Sequence, residues 1–313
     1  MGATEKLYVL GHPVGHSKSP AMHNAVYRAL GLPWEYGFAD IEHSHEAQAF
    51  IEQRSWLGLN ITTPYKELAF AAADTASEAA RLARGANVLV KIDGKLAAHN
   101  TDGFGCVTYL QSIGACFEGA RVVVCGTGPT SFSILCACVD AGASVLMLGR
   151  DAQRARERVE AWRAAYAACV AHDEHAVCAF QTTRTAQTAR EARSKREVRV
   201  EGVSYDDSRS LISCADIVID ATPLGMKPGD PAPFDVSALH EGQWVFDAVY
   251  GHGETALAAG AKAAGCTFRS GGGMLVGQAV AAVQLFLQAA GEPDTLGFDG
   301  LLDVMARAAG FAL

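Results

Sequence analysis

The chain has 313 residues, half of them apolar, which is longer than one ordinary domain and enough for two cores, so two domains are expected. Its net charge of −8 argues against a nucleic-acid partner, because a phosphate-binding surface normally leaves a basic excess. Nine scattered cysteines without a Cys-x-x-Cys pair argue against a disulfide framework or a zinc site. The absence of a signal-peptide core, or of about 18 uninterrupted apolar residues, points to a soluble cytoplasmic protein with no membrane partner.

The first strand is predicted at 7–10, closed by Gly11, and opens onto His12-Pro-Val-Gly-His-Ser17-Lys-Ser19-Pro20. Ser19 reads as the cap and Pro20 as the first position of a helix over 21–30. Two hydroxyls at a helix N-terminus suit a carboxylate, and they serve equally as simple caps. A second strand and helix are predicted at 34–41 and 44–54. Leu57-Gly-Leu-Asn60-Ile-Thr62-Thr-Pro64-Tyr-Lys66 is a third strand end, since Pro64 forces the residue before it out of helical geometry. Asn60, Thr62 and Lys66 thus gather where an α/β sheet binds ligand, beyond the carboxyl ends of its strands. A lysine after a proline is otherwise a solvated loop residue.

A helix is predicted over 67–84, followed by Gly85-Ala-Asn87-Val-Leu-Val-Lys-Ile and a hairpin at Asp93-Gly94, a strong two-residue turn signal. The next strand ends at His99-Asn100-Thr101-Asp102-Gly103. An Asp among Asn and Gly is commonly a turn residue, and at a strand exit it is also a candidate partner for Lys66. A helix over 104–113 leads into the next unit, which places a domain boundary near 103.

Arg121-Val-Val-Val-Cys-Gly126-Thr127-Gly128-Pro129-Thr130-Ser131 reads as strand, tight turn and helix, the start of a dinucleotide-binding unit. The chain must turn sharply at Gly126 and approach a pyrophosphate at Gly128, while a small residue at 131 lets helix and strand pack. Pro129 fits early in the helix, where its missing N–H costs little. A plain βα turn fits the same motif. The second strand, 144–148, ends at Gly149-Arg150-Asp151, where a Rossmann unit reads the adenosine ribose. A helix over 152–170 follows.

Residues 172–203 carry Arg184, Arg190, Arg193, Lys195, Arg196 and Arg199 among small polar residues and read as an irregular solvated insertion, long for a βα connection of roughly 2–6 residues. His172 and His175 there mimic a metal cluster, but no metal is expected. Further buried strands at 215–221 and 243–249 end in Thr222-Pro-Leu-Gly-Met226 and Tyr250-Gly251. The run Ser270-Gly-Gly-Gly273-Met274 then opens the apolar helix 275–290 bearing Gln278, and a last helix covers 300–309.

Six ordered blocks, His16-Ser-Lys-Ser-Pro20, Asn60-Ile-Thr-Thr-Pro-Tyr-Lys66, Asn100-Thr-Asp-Gly103, Ala221-Thr-Pro-Leu-Gly-Met226, Asp247-Ala-Val-Tyr250 and Gly273-Met-Leu-Val-Gly-Gln278, resemble the shikimate dehydrogenase family across nearly all of the chain outside 172–203. The resemblance implies an α/β fold of two domains. An N-terminal α/β substrate domain (1–103 plus 274–313, the C-terminal helices returning to it) would face a Rossmann-type, doubly wound dinucleotide-binding domain (104–273). It implies reversible NADP-linked reduction of 3-dehydroshikimate to shikimate in aromatic amino-acid biosynthesis, by a monomer or homodimer whose partner is that small-molecule substrate.

Carried over by resemblance, Lys66 and Asp102 are the catalytic pair. Ser17 and Ser19 hold the substrate carboxylate with Tyr250 nearby, and Asn60, Thr62, Asn87, Asp102 and Gln278 bind the ring hydroxyls. Gly126, Thr127, Gly128, Pro129, Thr130, Ser131, Arg150, Thr222, Met226 and Gly273 bind NADP. The chemistry suits these types: hydride transfer to a ring carbonyl develops charge on oxygen, which a lysine ammonium stabilises and protonates.

Three departures from the family pattern are visible. The loop 126–131 is poorer in Gly and Ala, the usual Asn-Arg-Thr stands as Gly149-Arg150-Asp151, and the usual Gly-Ala-x-Asn-Thr stands as Gly85-Ala-Asn87-Val88. The first two leave NAD as an alternative cofactor. Quinate or another shikimate-like polyol is an alternative substrate, and a non-catalytic ligand sensor an alternative role.

Overall fold

The computed structural model describes residues 4–171, 200–205 and 208–311. The arginine and lysine positions from 184 to 199, and His172 and His175, lie outside the described residues. Two six-stranded sheets organise the chain. The first contains β1 (Lys6–Gly11), β2 (Glu35–Asp40), β3 (Gly58–Ile61), β4 (Thr75–Ala76), β5 (Val88–Ile92) and β6 (Lys95–His99) in the order β2-β1-β3-β5-β6-β4. β5 runs antiparallel to both β3 and β6, and the remaining pairs are parallel. Asp93 (φ 51°) and Gly94 (φ 76°) form the predicted hairpin between β5 and β6, both in the left-handed region that a tight primed turn demands.

The second sheet contains β7 (Arg121–Cys125), β8 (Ser144–Gly149), β9 (Val200–Ser204), β10 (Ile217–Asp220), β11 (Trp244–Asp247) and β12 (Thr267–Ser270), all parallel, in the order β12-β11-β10-β7-β8-β9. Counted along this half, that is the doubly wound order of a dinucleotide-binding sheet, with its switch point between β7 and β10. Alternate residues serve opposite cores, Val122 and Val124 in one cluster and Val123 and Cys125 in the other. The alternation follows from the two-residue period of a strand, here covered by helices on both faces.

The helices are α1 (Ser19–Ala29), α2 (Ser44–Gln53), α3 (Lys66–Ala71), α4 (Glu78–Ala83), α5 (Asp102–Ser112), α6 (Pro129–Asp140), α7 (Ala152–Ala171), α8 (Ser208–Ser213), α9 (Ala256–Ala263), α10 (Gly272–Ala290) and α11 (Gly297–Ala309). α10 is long and apolar enough to cross a membrane by composition, yet 72% of that window is buried inside the protein. Val276, Val280, Val283 and Phe286 of α10 share one core with Leu7, Val9 and Val90 of the first sheet and with Leu301 and Met305 of α11. The C-terminal helices therefore return to the first sheet. Each such fully buried large apolar side chain stabilises the fold by roughly 1.5–3 kcal/mol.

Three local readings are corrected. The single helix over 67–84 is two, because Asp74 accepts from the Leu96 N–H (2.7 Å), Thr75 and Ala76 pair with β6, and Ser77 caps α4 by accepting from Ala80 N (3.2 Å). Short polar side chains here satisfy backbone groups that a continuous helix would need. α1 begins at Ser19, not after it, with Pro20 in its first turn, and Ser17 Oγ accepts from Ser19 N at 3.2 Å. Within the stretch read as an irregular insertion, 200–203 belongs to β9, an edge strand paired with β8.

Candidate active site

The first sheet brings the β1 and β3 exits together. His12 N donates to Thr63 O (3.1 Å) and Thr62 N to Leu10 O (2.9 Å). A side chain at Gly11 would meet the Thr62 methyl at 2.3 Å, so only glycine lets the two loops touch. Ser17 and Ser19 thereby share this rim with Asn60, Thr62 and Lys66, and their hydroxyls lie 3.2 Å apart. Asn60 is buried, its Oδ1 accepts from the Tyr36 hydroxyl (2.7 Å), and its Nδ2 has no partner. Burial holds the Tyr36 phenol well above its usual pKa, so it stays a neutral donor and fixes the orientation of the Asn60 amide, whose NH2 is buried and unpaired. Tyr250 is partly buried after β11. The His252 ring, two residues on, meets His16 edge-on at 5.8 Å, which joins that loop to the serine loop.

Lys66, at the first position of α3, donates to Asp102 Oδ2, and Asp102 opens α5. Asn87 fixes the other carboxylate oxygen: its Nδ2 lies 2.9 Å from Asp102 Oδ1, 2.8 Å from Thr101 Oγ1 and 3.2 Å from Gln278 Oε1. Its own Oδ1 accepts from Thr101 N at 2.8 Å. Gln278 reaches this network because α5 and α10 cross without side chains between them: a Cβ on Gly105 would sit 2.5 Å from Gln278 N. A lysine ammonium held at a carboxylate, with amides and hydroxyls around it, is the arrangement expected of a proton donor and acceptor for a carbonyl or hydroxyl oxygen. Tyr36 stands in no motif that marks it, and Thr101, inside the Asn100-Thr-Asp-Gly103 block, carries no role that the sequence assigns.

The β7–α6 turn lies at the switch point of the second sheet. Gly126 has φ 109°, and a Cβ there would lie 2.6 Å from Ser131 Oγ. α6 starts from Gly128 without a side-chain cap, and the buried Ser131 hydroxyl has no partner. Backbone donors at an uncapped helix start beside a glycine that permits close approach fit the pyrophosphate of a dinucleotide. Thr130, expected at the cofactor, carries its hydroxyl to the Lys66–Asp102 pair, 2.9 Å from Lys66 Nζ and 3.0 Å from Asp102 Oδ2.

Around this turn, Asp220 at the end of β10 is buried, one oxygen accepting from Thr222 N (2.8 Å) and the other without a partner; burial pushes its carboxyl up to about 7. Thr222 closes a turn by accepting from Leu224 N (3.2 Å), and Met226 is an exposed apolar side chain beyond it. Gly273 lies against Tyr109, whose ring a Cβ there would overlap at 2.3 Å. Among the described residues no group of three or more His, Cys, Asp or Glu could hold a metal ion.

A family model, the shikimate dehydrogenase substrate binding domain, matches residues 9–89. The curated shikimate dehydrogenase (NADP(+)) of Symbiobacterium thermophilum is 33% identical over 313 residues, 98% of this chain and 94% of that protein. The chain belongs to the shikimate dehydrogenase family. Among solved structures, shikimate 5-dehydrogenase from Thermus thermophilus, in complex with NADP(H) and shikimate, aligns with a TM-score of 0.74 at 26% identity, covering 97% of this chain and 100% of that one. Ligand-free 5-ketofructose reductase from a Gluconobacter species aligns with a TM-score of 0.70 at 25% identity, covering 99% of each chain.

Against the family pattern, the departure at 149–151 has a local cause. A Cβ at Gly149 would lie 3.0 Å from the Thr127 methyl and 3.1 Å from Ala155 Cβ. Thr127 therefore occupies space that the family's usual asparagine would need. Asp151 is drawn to the start of α7, where its Oδ1 accepts from Arg154 N at 3.0 Å. A carboxylate is favoured there by the helix dipole and the unpaired N–H groups. Arg150 is exposed at the carboxyl end of β8.

Proposed function

We propose that this protein is an NADP-dependent shikimate dehydrogenase, reversibly reducing 3-dehydroshikimate to shikimate. The carrying observation is the Lys66–Asp102 pair, completed by Asn87 and Gln278 from separate parts of the chain, in a family whose curated members bear that activity along nearly their whole length. Residues 1–103 with 274–313 act as the substrate domain and 104–273 as the NADP domain.

NADPH, when bound, supplies a hydride to the ring carbonyl carbon. The chain's residues do the rest. Lys66 Nζ stabilises the charge that develops on the carbonyl oxygen and gives it a proton; in the reverse direction Lys66 takes the hydroxyl proton. Asp102, held by Asn87, keeps the lysine pointed at that oxygen. Ser17 and Ser19 hold the carboxylate with Tyr250 beside them. Asn60 Nδ2, Thr62, Asn87 and Gln278 bind the ring hydroxyls. The loop 126–131 would hold the pyrophosphate of NADP and Arg150 its 2′-phosphate, with Thr222, Met226 and Gly273 completing the cofactor site.

The intact pair speaks against a sensor role, since a binder has no need of a paired lysine. The 5-ketofructose reductase neighbour keeps a second reading in play, reduction of another polyol-type ketone, quinate's included. Quinate carries an added hydroxyl on the carbon bearing the carboxylate, where two serines are already committed. Such a pocket rejects an extra hydroxyl by about 10²-fold. Steady-state kcat/KM for shikimate and quinate with NADP+ and NAD+ tests the proposal: shikimate with NADP+ is expected to be the best pair, and a higher value for quinate overturns the substrate assignment. We assign the protein to the cytoplasm, in keeping with the absence of a disulfide among the described residues.

A further inference from the structure

The start of α6 packs beside the Lys66–Asp102 pair and meets the chain around it at three points. A Cβ on Gly85, just past α4, would lie 2.4 Å from Pro129 Cβ, so the two stretches are in direct contact. Gly103 N, next to Asp102, donates to Ser133 Oγ at 2.8 Å. Between them the Thr130 hydroxyl lies 2.9 Å from Lys66 Nζ and 3.0 Å from Asp102 Oδ2. The chemistry of the groups settles the direction of both bonds. A carboxylate only accepts and an ammonium only donates, so the single hydroxyl hydrogen goes to Asp102 while its oxygen accepts from Lys66.

We propose that Thr130 is a positioning residue of the reaction, a hydroxyl on the nucleotide-binding helix that fixes the Lys66–Asp102 pair and couples cofactor seating to the geometry of proton transfer. Asp102 then has three donors: Lys66 and Thr130 on Oδ2, and Asn87 on Oδ1. Lys66 keeps one N–H for the substrate oxygen. Thr130 sits one residue after Pro129, the first residue of α6, so a shift of this loop on taking up a pyrophosphate moves the hydroxyl that holds the pair. This role goes beyond a phosphate contact, and it rests on the dehydrogenase reading above.

The test uses the full-length protein with Thr130→Val, Thr130→Ser, Lys66→Ala and the double variant Lys66→Ala/Thr130→Val. With shikimate and NADP+, Thr130→Val is expected to lower kcat about tenfold, equivalent to about 1.4 kcal/mol of barrier, with KM for NADP+ changed less than about twofold. Thr130→Ser restores the rate, and Thr130→Val costs nothing further once Lys66 is gone, because residues acting as a unit are non-additive. A raised KM for NADP+ with unchanged kcat overturns the proposal in favour of a phosphate contact. An equal loss of kcat in the Lys66→Ala background overturns it in favour of a general structural effect. The thermal unfolding midpoints of the same four proteins give a readout independent of substrate: the double variant should lose less than the sum of the single losses, and strict additivity overturns the contact. Absence of wild-type turnover with shikimate and NADP+ overturns the proposed function, while the unfolding cycle still decides whether Thr130 holds Lys66.

Discussion

Asn87 Nδ2 lies 2.9 Å from Asp102 Oδ1; Asn87 precedes β5 and Asp102 opens α5, so the β5–β6 hairpin between them brings the two together. The contact puts the carboxylate in register with Lys66 from the opposite side, so the lysine is aimed by its partner's neighbours as much as by its own helix.

Replacing Lys66 with alanine removes the group proposed to donate and accept the proton while leaving Ser17, Ser19, Asn60 and Gln278 in place. We expect kcat to fall by roughly 10²-fold or more with KM for shikimate little changed. Single-turnover and steady-state rates check this, and near-normal turnover would remove Lys66 from the mechanism.

The Tyr36 hydroxyl donates to Asn60 Oδ1 at 2.7 Å, which leaves the buried amide nitrogen as the unpaired donor. Tyr36→Phe frees the amide to present either end. A neutral hydrogen bond contributes about 0.5–1.5 kcal/mol, so KM for shikimate should rise by a few-fold to about tenfold while kcat falls less. An unchanged KM would show that Asn60 needs no such orientation.

Much of this site was legible in the sequence because its chemistry sits at strand exits. Lys66, Asn60 and Asp102 each follow a short apolar run, and the doubly wound sheet follows from the spacing of such runs. What could not be read depends on distant partners. The run 67–84 looks helical locally, and only pairing of Thr75 and Ala76 with β6 breaks it. Ser19 looks like a cap until Ser17 is seen to accept its N–H. Thr130 has the appearance of a phosphate-loop residue, and its contact with Lys66 exists only because α6 packs against Gly85 and Gly103. The Asn60 orientation is set by Tyr36 on the far side of β1, a relationship no local pattern carries.

Asp220 makes stability depend on pH in a defined direction. Its folded pKa is raised, from 3.8 to about 7, so between these values the folded protein holds a proton that the unfolded chain has lost. The stability this group contributes is fully present below about pH 4 and is lost as pH rises toward 7. About three units at about 1.4 kcal/mol each gives on the order of 4 kcal/mol. Asp220→Asn keeps the acceptor for Thr222 N and cannot ionise, so its stability relative to wild type should climb between pH 4 and 7 and level off above. Urea unfolding of both proteins across that range measures the difference, and a flat difference would mean that the carboxyl is not held protonated.

On the proposed assignment, cofactor choice is made at the end of β8, where Arg150 and Asp151 pull in opposite directions. A guanidinium suits a 2′-phosphate, being permanently charged and able to form paired hydrogen bonds; a carboxylate accepts from free ribose hydroxyls and repels the phosphate. The structure separates their tasks, because one oxygen of Asp151 accepts from Arg154 N at the start of α7. Its charge still lies beside Arg150, the residue proposed to take the 2′-phosphate, so the preference for NADP should be narrower than Arg150 alone would give. A lost charge-assisted hydrogen bond costs about 1.5–3 kcal/mol, and Arg150→Ala should reduce the kcat/KM ratio of NADP+ to NAD+ by about 10- to 100-fold. Asp151→Thr keeps a capping oxygen for α7 and removes the negative charge, so that ratio should rise. Measuring kcat/KM for both cofactors in the three proteins checks the assignment, which fails if wild type prefers NAD+ or if the loss of Arg150 leaves the ratio unchanged.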